Sequence, residues 1–463
     1  MAGLITYVTY FYYKYFTREN PLPGPVPLPF VGNSIFYFID LIDAVSKLQA
    51  KYGDFFEFYM GGERHICLLN EDLVKEMTKP TLNGNFFRRG NGNGGTKELG
   101  HDNFGIGLNE NYYKWRYNRK FFSKTILSPL FCRQALTCVQ AGFEEMSGYW
   151  DLLGEEAIIN FPEWIKRYFM ETLTIIISNK PLHALSNFHK KLSNKEISRE
   201  SAESEELVDT IRFINEILHW FVFMPAYTSG NRSNTQNQPL VPDMLTMFLT
   251  VNTPRDITER IADDQNDKPM TDEEVVGNYF DVLIGGVDNG ANAMCFLVYY
   301  LTQYPKVKRR LLKEIDTVVG RNSNIKITMN IINKLEYTEA YIKEDPVEIG
   351  GVTFPSNTIF FSSSFALHTH KSHWSNPEEF NPDRFLRSSP ESKNPFYMFG
   401  SGERKCPGRN LAMLELKASL LMLYLKYDVE LVAPIKFSGK AVRNCTELKL
   451  RIKKRRDLSL VDC

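Results

Sequence analysis

The sequence lacks most of the features that mark a zinc, iron–sulfur or disulfide protein. Its seven cysteines are scattered along 463 residues and form no CxxC pair, so neither a local zinc ligand set nor a disulfide framework is predicted. This cysteine usage is typical of a reducing compartment. Net charge is also absent, because Lys+Arg and Asp+Glu both number 55. No nucleic-acid partner is therefore predicted, and any charged partner has to bind a local patch.

Composition breaks and internal repeats are missing as well, so one large domain is predicted. Hydrophobic residues make up 43% of the chain, which is enough for a sizeable core. Helices are predicted at residues 114–127, 280–302, 306–319 and 410–426. Strand-like sequences occur at 54–70, which predicts a hairpin, at 347–361, and near the C-terminus. The predicted fold class is mainly α with a small β region, and not an alternating βαβ sheet.

The N-terminal segment contains an apolar run that is short for a membrane span. Residues 2–13 are uncharged and rich in tyrosine, whereas a spanning helix needs about 20 residues. Three interpretations stay open: a short signal anchor, an interfacial aromatic helix, or the first helix of the fold. The alternating prolines that follow predict a stiff, extended arm. We expect residues 1–20 to be a membrane anchor, 21–30 a proline-rich arm, and 31–463 the main domain.

Two motifs that suggest ligand sites lack the context those sites need. The glycines of GNGNGG, residues 90–95, match the GxGxxG dinucleotide pattern, but no strand precedes them and no apolar-faced helix follows. A surface loop is therefore predicted there. The histidines of HTHKSH, residues 368–373, have no acidic or cysteine ligand close in sequence, which disfavours a metal site.

The segment FGSGERKCPG, residues 399–408, places one cysteine in an open and positively charged setting. Cys406 lies just before a strongly predicted helix, with Pro407 at the expected first helical position, so the positive helix end faces the sulfur. Nearby cations are Arg404, Lys405 and Arg409. Both effects favour the thiolate over the thiol. Gly402 and Gly408 remove side chains on both sides, which lets a flat or bulky group approach the backbone.

Three interpretations of Cys406 compete. A structural cysteine is normally buried among apolar residues, and this segment is polar. A nucleophilic cysteine needs a base, and no histidine follows His373 in the sequence, although a base could come from elsewhere in the fold. A metal-ligating thiolate needs only electrostatic stabilisation and room. A single thiolate cannot hold zinc or an iron–sulfur cluster, but it is sufficient as the axial ligand of a haem.

The spacing around this cysteine matches a known signature. Phe399-x-x-Gly402-x-Arg404-x-Cys406-x-Gly408 is the complete haem-thiolate motif. The sequence resembles the cytochrome P450 family, and most of all its eukaryotic membrane-attached members. The resemblance implies a single large P450-like haem domain with haem as the cofactor and the Cys406 sulfur as the iron ligand. It also implies that Arg404 contacts a haem propionate and that Phe399 lies beside the sulfur.

Trp115 and Arg119 lie four residues apart and therefore share one face of a predicted helix. Taken alone, this is a basic amphipathic helix. An indole N–H and a guanidinium can also bind paired carboxylates. The corresponding helix of the family has the pattern W-x-x-x-R, whose two side chains bind a haem propionate. The resemblance implies that role for both residues.

The helix predicted at 280–302 contains three interior glycines, each of which costs about 1 kcal/mol relative to alanine. This cost suggests that something passes close to the backbone. The helix resembles the family's distal helix, whose pattern small-Gly-x-acid-Thr reads GGVDN at residues 285–289. The resemblance implies that Asp288 and its neighbour act in proton delivery to dioxygen. That neighbour is Asn289 in place of threonine, and because an amide is an inefficient proton shuttle, we expect it to orient a water molecule or the substrate.

The resemblance ends at the family's Glu-x-x-Arg pair. LEYTEAYIKE, residues 335–344, resembles the start of that helix, with Glu344 as the glutamate, yet no arginine occurs from 322 to 383. The rest of the helix, a proline-rich turn and a strand are missing as one block, as an in-frame loss or a mispredicted exon would produce. NPEEFNPDRF supplies Arg384, which closes this network in the family. We expect a structural network of Glu344 and Arg384 without its second arginine.

These features lead to one functional expectation and one alternative. The expectation is a haem-thiolate monooxygenase that inserts one oxygen atom of O2 into a small lipophilic organic substrate, using electrons from an NADPH-dependent reductase. It would be attached to the endoplasmic reticulum membrane with its catalytic domain facing the cytosol. The alternative is a non-catalytic or poorly folded haem-binding isoform that lacks the Glu-x-x-Arg segment. A cysteine hydrolase is disfavoured for want of a local base.

Two surfaces follow from this expectation. The substrate pocket is expected between residues 90–107 and the helix around Gly286. An acidic reductase is expected to bind a basic patch, for which a merely solvated basic face is the alternative interpretation. The patch consists of Lys114, Arg116, Lys120, Arg404, Lys405 and Arg409.

Overall fold

The structure is a computed structural model that describes most of the chain. The described residues are 1–33, 41–60, 63–78, 105–107, 109, 111–154, 157–193, 205–208, 210, 269–320, 325–343, 359–363, 367–368, 370–372, 374–377, 379–393, 398–438 and 444–455. The glycine motif at 90–95, Glu344 and the block that follows it lie outside the described residues.

Helices make up most of the described chain, as the sequence predicts. They are α1 (Ala2–Phe16), α2 (Leu41–Tyr52), α3 (Glu71–Thr78), α4 (Tyr112–Ile126), α5 (Pro129–Leu153), α6 (Phe161–Ser178), α7 (Ala184–Leu192), α8 (Asp272–Gln303), α9 (Pro305–Val319), α10 (Met329–Lys334), α11 (Glu336–Ile342) and α12 (Arg409–Lys426). The four helices predicted from periodicity are confirmed as α4, α8, α9 and α12.

Three small sheets account for the described strands. They are formed by β1 (Phe55–Met60), β2 (Glu63–Leu68), β3 (Ile158–Asn160), β4 (Ile359–Phe361), β5 (Tyr427–Leu431), β6 (Lys436–Ser438), β7 (Asn444–Glu447) and β8 (Lys449–Lys454). The sheet orders are β1-β2-β4, β3-β8-β5 and β6-β7. The predicted hairpin is confirmed, because β1 and β2 pair antiparallel from Phe55 opposite Leu68 to Met60 opposite Glu63. The fold class is therefore mainly α with a small β region.

The long helix α8 passes through the main hydrophobic core and packs most extensively against α6. It begins with a capping box, in which Glu274 N–H donates to Thr271 Oγ1 and Thr271 N–H donates to Glu274 Oε2. Among the described helices, α8 alone is long and apolar enough to cross a membrane by length and composition. Helices α5, α6 and α12 surround the same core, which is how the chain brings its N-terminal and C-terminal halves together.

The N-terminal helix and the proline-rich arm lie against the body of the protein. Glu57 of β1 forms ion pairs with Arg18 and Arg64, and its backbone N–H donates to Pro23 O at 2.9 Å. Tyr15 of α1 is buried, whereas most of the large apolar side chains of α1 are exposed. Residues 21–30 contain no helix, and these contacts place the arm along β1.

Candidate functional site

The cysteine loop, residues 399–408, is closed by its own backbone and packs on α3. Cys406 N–H donates to Phe399 O at 2.7 Å, and Lys405 N–H donates to Gly402 O at 3.3 Å. Gly402 has a φ of +66°, and a Cβ there would lie 2.3 Å from the carbonyl oxygen of Thr78. Only glycine fits this position, because both the left-handed backbone and the close approach exclude a side chain. The loop therefore presents Cys406, whose side chain is exposed, in one fixed turn.

Helix α12 begins one residue before the predicted range of 410–426, and Pro407 does not lie at its first position. Gly408 is the N-cap and Arg409 the first helical residue, so Pro407 precedes the helix and does not start it. Cys406 still lies within one turn of the helix N-terminus, where free N–H groups and the helix dipole favour negative charge. A Cβ at Gly408 would be in ordinary contact with the Cys406 sulfur, at 3.8 Å, so this glycine leaves open the space beside the sulfur.

Trp115 and Arg404 converge on one carbonyl group. Trp115 Nε1–H donates to Ile106 O at 3.1 Å, and Arg404 Nη1 donates to the same oxygen at 3.2 Å. The Arg404 guanidinium also lies 5.0 Å from the centre of the Trp115 ring, within cation–π range. Further Arg404 contacts reach Gly107 O at 3.4 Å and Asn109 O at 3.1 Å. The structure thus brings together two predicted site residues that are far apart in the sequence.

Arg119 joins this group from the next turn of α4. Its Nη2 donates to the backbone oxygen of Lys405 at 2.5 Å, and its guanidinium lies 5.9 Å from the Trp115 ring centre. Helix α4 is therefore attached directly to the residue before the cysteine. The spacing of four residues between Trp115 and Arg119 does place both on the face of α4 that meets the cysteine loop.

Asp281 of α8 is a site residue that the sequence reasoning missed. Its Oδ2 accepts hydrogen bonds from the N–H groups of Ile106 at 2.6 Å and Gly107 at 2.8 Å. The sequence does contain a signal for it, which is a second acid within the same apolar helix. Asp281 lies four residues before Gly285 and therefore on the same face of the helix. Asp281 connects α8 to the segment whose carbonyls hold Trp115 and Arg404.

Three of the four glycines of α8, at positions 285, 286 and 290, have two different surroundings. A Cβ at Gly286 would lie 2.7 Å from Leu173 Cδ1, and one at Gly290 would lie 2.6 Å from Phe169 Cε1. These two glycines therefore allow α6 to pack closely, which confirms the predicted close approach. Gly285 instead has no atom of the described residues within 4 Å of its Cβ position. Among the described residues, this face of α8 therefore borders open space.

Asp288 and Asn289 have separate partners. Asp288 Oδ1 lies 3.8 Å from Lys166 Nζ of α6, and both side chains are largely buried. Asn289 is exposed on the same face as Gly285, and its Nδ2 donates to Gly285 O at 2.9 Å. The acid is thus held by a cation at the α6–α8 packing surface, while the amide is turned back onto its own helix beside the open space.

Arg384 is buried within its own loop. Its guanidinium donates to the backbone oxygens of Ser375 at 3.1 Å, Asn376 at 3.3 Å and Glu379 at 2.8 Å. Glu391 adds a carboxylate at 3.8 Å. The predicted contact of Arg384 with Glu344 lies outside the described residues, and these four partners come from residues 375–391.

Helix α11, which leads to Glu344, is fixed at both sides. Glu314 of α9 accepts the N–H groups of Tyr337 and Thr338 at its N-terminus. Glu339 binds Lys343 and Lys417, the latter from α12. Burial by itself would raise the pKa of Glu339, but the two lysines lower it to about 2. The beginning of this helix is therefore well anchored to the elements around the cysteine loop.

The histidine motif has ordinary partners where it is described. His370 Nε2 lies 3.1 Å from both carboxylate oxygens of Asp54, and its Nδ1 lies 2.6 Å from Ser372 Oγ. Burial lowers the pKa of His368 well below its usual value. His373 lies outside the described residues. The motif connects its loop to the residue that precedes β1.

The donor set and the space around it fit a haem. One exposed cysteine sulfur stands beside a glycine, and Trp115, Arg119 and Arg404 place cationic and N–H donors next to the cysteine loop. A single thiolate with an open position beside it is a haem ligand set and not a zinc site. Within the described residues no group of three or more His, Cys, Asp or Glu could hold a metal ion by itself.

Comparisons with known proteins agree with this chemistry. A family model described as Cytochrome P450 matches residues 22–442. The chain is 26% identical to Cytochrome P450 3A12 of Canis lupus familiaris, with 92% of this chain and 89% of the relative covered. It is 24% identical to Cytochrome P450 3A15 of Cavia porcellus, with 92% and 90% covered. Cytochrome P450 3A28 of Bos taurus is 25% identical, with 92% and 87% covered.

Proposed function

The chain belongs to the cytochrome P450 family, and from that premise we propose that it oxidises a small lipophilic substrate with Cys406 as the axial ligand of its haem. Haem is the cofactor of this family, and the chain is a monooxygenase of the oxidoreductase class. The observation that carries the proposal is the fixed turn at 399–408, which presents one exposed sulfur near the N-terminus of α12.

The cysteine loop holds the thiolate ready to bind. The Cys406–Phe399 backbone hydrogen bond and the left-handed Gly402 fix the direction of the sulfur, and the helix dipole stabilises its negative charge. When haem is bound, it supplies the site of oxygen activation, and electron donation from a thiolate ligand favours O–O cleavage. Phe399 at the start of the loop and Gly408 beside the sulfur complete the proposed cofactor-binding turn.

We assign the propionate side of the site to Trp115, Arg119 and Arg404. All three are within one cluster, and each carries N–H donors that can bind a carboxylate. Their contacts with backbone oxygens hold the side chains in place. The two guanidinium groups would contribute positive charge toward the anionic edge of the cofactor.

Proton delivery is assigned to the distal helix. Asp288 would pass protons from the Lys166 side of the helix, where it lies 3.8 Å from that cation. Asn289 stands next to the open face and would orient a water molecule or the substrate, because its amide can hydrogen-bond but does not relay protons efficiently. We expect oxygen activation to be less tightly coupled to product formation than with a hydroxyl at this position.

The electron donor is proposed to be an NADPH-dependent reductase that binds the cysteine side of the protein. Five of the six residues of the basic patch are exposed, namely Lys114, Arg116, Lys120, Lys405 and Arg409. They come from α4, the cysteine loop and the first residue of α12, and the Arg119–Lys405 hydrogen bond joins α4 to the loop. Positive charge near the ligand would steer an acidic partner to the short electron-transfer path.

We propose membrane attachment through the N-terminus, at the endoplasmic reticulum with the catalytic domain in the cytosol. The exposed apolar and aromatic side chains of α1 support this placement. They are Leu4, Ile5, Tyr7, Tyr10, Tyr13 and Phe16. Tyrosine-rich helices suit the membrane interface, where an apolar ring and a polar hydroxyl are both accommodated.

The test is the ferrous carbon monoxide spectrum of the full-length chain purified with added haem. A red-shifted, thiolate-type Soret band is expected for the wild type, and Cys406→Ala should abolish it. Cys132→Ala, which changes a half-buried cysteine of α5, should keep the band. A wild-type spectrum without the thiolate band would contradict the proposed function for this chain.

A further inference from the structure

The segment 105–107 lies between an anion and a cation. Asp281 of α8 accepts its N–H groups on one side. Arg404 of the cysteine loop donates to its carbonyl groups on the other side. Successive backbone N–H groups in a turn form a concavity that binds anions, and here the anion belongs to the distal helix.

One peptide group carries both contacts. The peptide between Ile106 and Gly107 donates its N–H to Asp281 at 2.8 Å and offers its oxygen to Trp115 and Arg404 at 3.1 and 3.2 Å. The negative carboxylate and the positive guanidinium are thus at opposite ends of the same peptide dipole. Each contact polarises the peptide in the sense that strengthens the other.

The two glycines of the segment leave room for the Asp281 carboxylate. Gly105 has a φ of +68°, and a Cβ there would lie 2.2 Å from Asp281 Oδ2. A Cβ at Gly107 would lie 2.6 Å from Asp281 Oδ1. The carboxylate therefore occupies the space that any side chain at these positions would need, and the fit is specific to a short acid on α8.

We propose that Asp281 is a positioning residue which, through the Ile106–Gly107 peptide, holds Arg404 and Trp115 in the orientation that receives the haem propionates. This inference rests on the proposed function for the identity of the group that Arg404 and Trp115 bind. Charge on the distal helix then determines how firmly the cofactor edge is held on the opposite side of the site.

The first experiment needs no haem. Hydrogen exchange of the apoprotein is measured for the peptide containing residues 105–107 in the wild type and in Asp281→Asn, which keeps the shape and removes the charge. Exchange is expected to become at least about tenfold faster, and labelling of Arg404 by phenylglyoxal should increase with it. Asp272→Asn, an exposed acid in the first turn of the same helix, should change neither signal.

The second experiment measures haem retention by transfer of haem from the loaded protein to apomyoglobin. Asp281→Asn should lose haem roughly tenfold faster than the wild type, as substitutions of residues that orient cofactor ligands do. The double variant with Asp281→Asn and Arg404→Ala should lose haem about as fast as Arg404→Ala alone, because both residues act through the same peptide. Additive effects would show that Asp281 and Arg404 act independently and would overturn the inference.

The two experiments separate this inference from the proposed function. If the wild type gives no thiolate spectrum, the proposed function fails, and hydrogen exchange with Arg404 labelling still decides whether Asp281 positions the segment. If the wild type assembles normally and Asp281→Asn changes neither exchange, labelling nor haem retention, the inference fails while the proposed function stands.

Discussion

The cysteine loop and the distal helix α8 face the same proposed cofactor, but they are organised differently. The loop is fixed by backbone geometry, with a left-handed Gly402 against Thr78 and the Cys406–Phe399 hydrogen bond. The helix is fixed by side-chain packing against α6, and its functional positions differ chemically from the family pattern at Asn289. One side of the site therefore depends on conformation, and the other depends on which side-chain groups are present.

This difference predicts different responses to mutation. Substitutions on the cysteine side should change stability or cofactor retention, because the backbone there has one acceptable arrangement. Substitutions on the open face of α8 should change chemistry with little effect on stability, since Gly285 and Asn289 border open space. Four measurements test this difference between the two sides of the site.

The largest effect is expected at Glu415, a fully buried residue of α12. Its Oε1 has no hydrogen-bond partner among the described residues, and burial raises its pKa from 4.5 to about 8. The folded state therefore keeps a proton that the unfolded state releases, so stability is complete below pH 4.5 and is lost as the pH rises to 8. Relative to Glu415→Leu, the wild type should lose about 5 kcal/mol over that range.

Urea unfolding at several pH values would measure this loss. Glu144→Gln serves as the control, because Glu144 is exposed on α5 and should leave the pH dependence of stability unchanged. Parallel curves for the wild type and Glu415→Leu would mean that Glu415 is ionised or solvated in the folded protein.

The next effect is expected at Arg384. Replacing it with alanine leaves the carbonyl oxygens of Ser375, Asn376 and Glu379 without their buried cation. A loss of about 4 kcal/mol of unfolding free energy is expected, as for other broken buried ion networks. The neighbouring Arg387 is exposed, and Arg387→Ala should cost less than about 0.5 kcal/mol by thermal or urea unfolding. Equal effects of the two substitutions would contradict the structural role of Arg384.

The third measurement compares two glycines across the site. Gly402→Ala places a Cβ against the backbone oxygen of Thr78 in a left-handed residue and should cost about 2 kcal/mol or more. Gly286→Ala meets only the flexible end of Leu173 and gains helix propensity, so its net effect should stay within about 1 kcal/mol. If Gly286→Ala proved the more destabilising of the two in urea unfolding, this would contradict the view that backbone geometry fixes the cysteine loop and side-chain packing fixes α8.

The smallest effect on stability is expected at Asn289, where a substitution should change the reaction more than the fold. Asn289→Thr supplies a hydroxyl beside the open face and should raise the fraction of NADPH electrons recovered in product about threefold or more, because a hydroxyl both donates and accepts protons. Asn289→Val has the same shape without the hydroxyl and serves as the control. Equal coupling in Asn289→Thr and Asn289→Val would show that proton delivery does not pass through this position.

Several parts of the site could be predicted because their information is local. The Trp115–Arg119 spacing places both residues on one helical face by geometry alone, and both do reach the Cys406 side of the structure. Close packing at Gly286 and Gly290 follows from the cost of glycine in a helix. The start of α12 is confirmed to within one residue, but Pro407 precedes the N-cap instead of occupying the first helical position, since proline is acceptable both within and before a first helical turn.

Other parts could not be predicted, because their partners are backbone groups far away in the sequence. Arg404 is bound by the carbonyl groups of Ile106, Gly107 and Asn109, and a carbonyl leaves no residue-type signature. Asp281 was overlooked for the same reason, since its partners are amide N–H groups of residues 106 and 107. The local partners of Arg384 were likewise hidden behind the expected pairing with Glu344.

Residue type, spacing and periodicity act over a few residues, and they were enough to predict the proposed ligand, its charged surroundings and the helices near it. Tertiary structure decided which groups meet: Arg404 with Ile106, Asp288 with Lys166, and Gly402 with Thr78. These contacts form only when separate elements pack into one core, and packing depends on the shape of the whole chain. The cysteine motif therefore indicates the cofactor, while the packing of the helices determines which side chains lie near the proposed site.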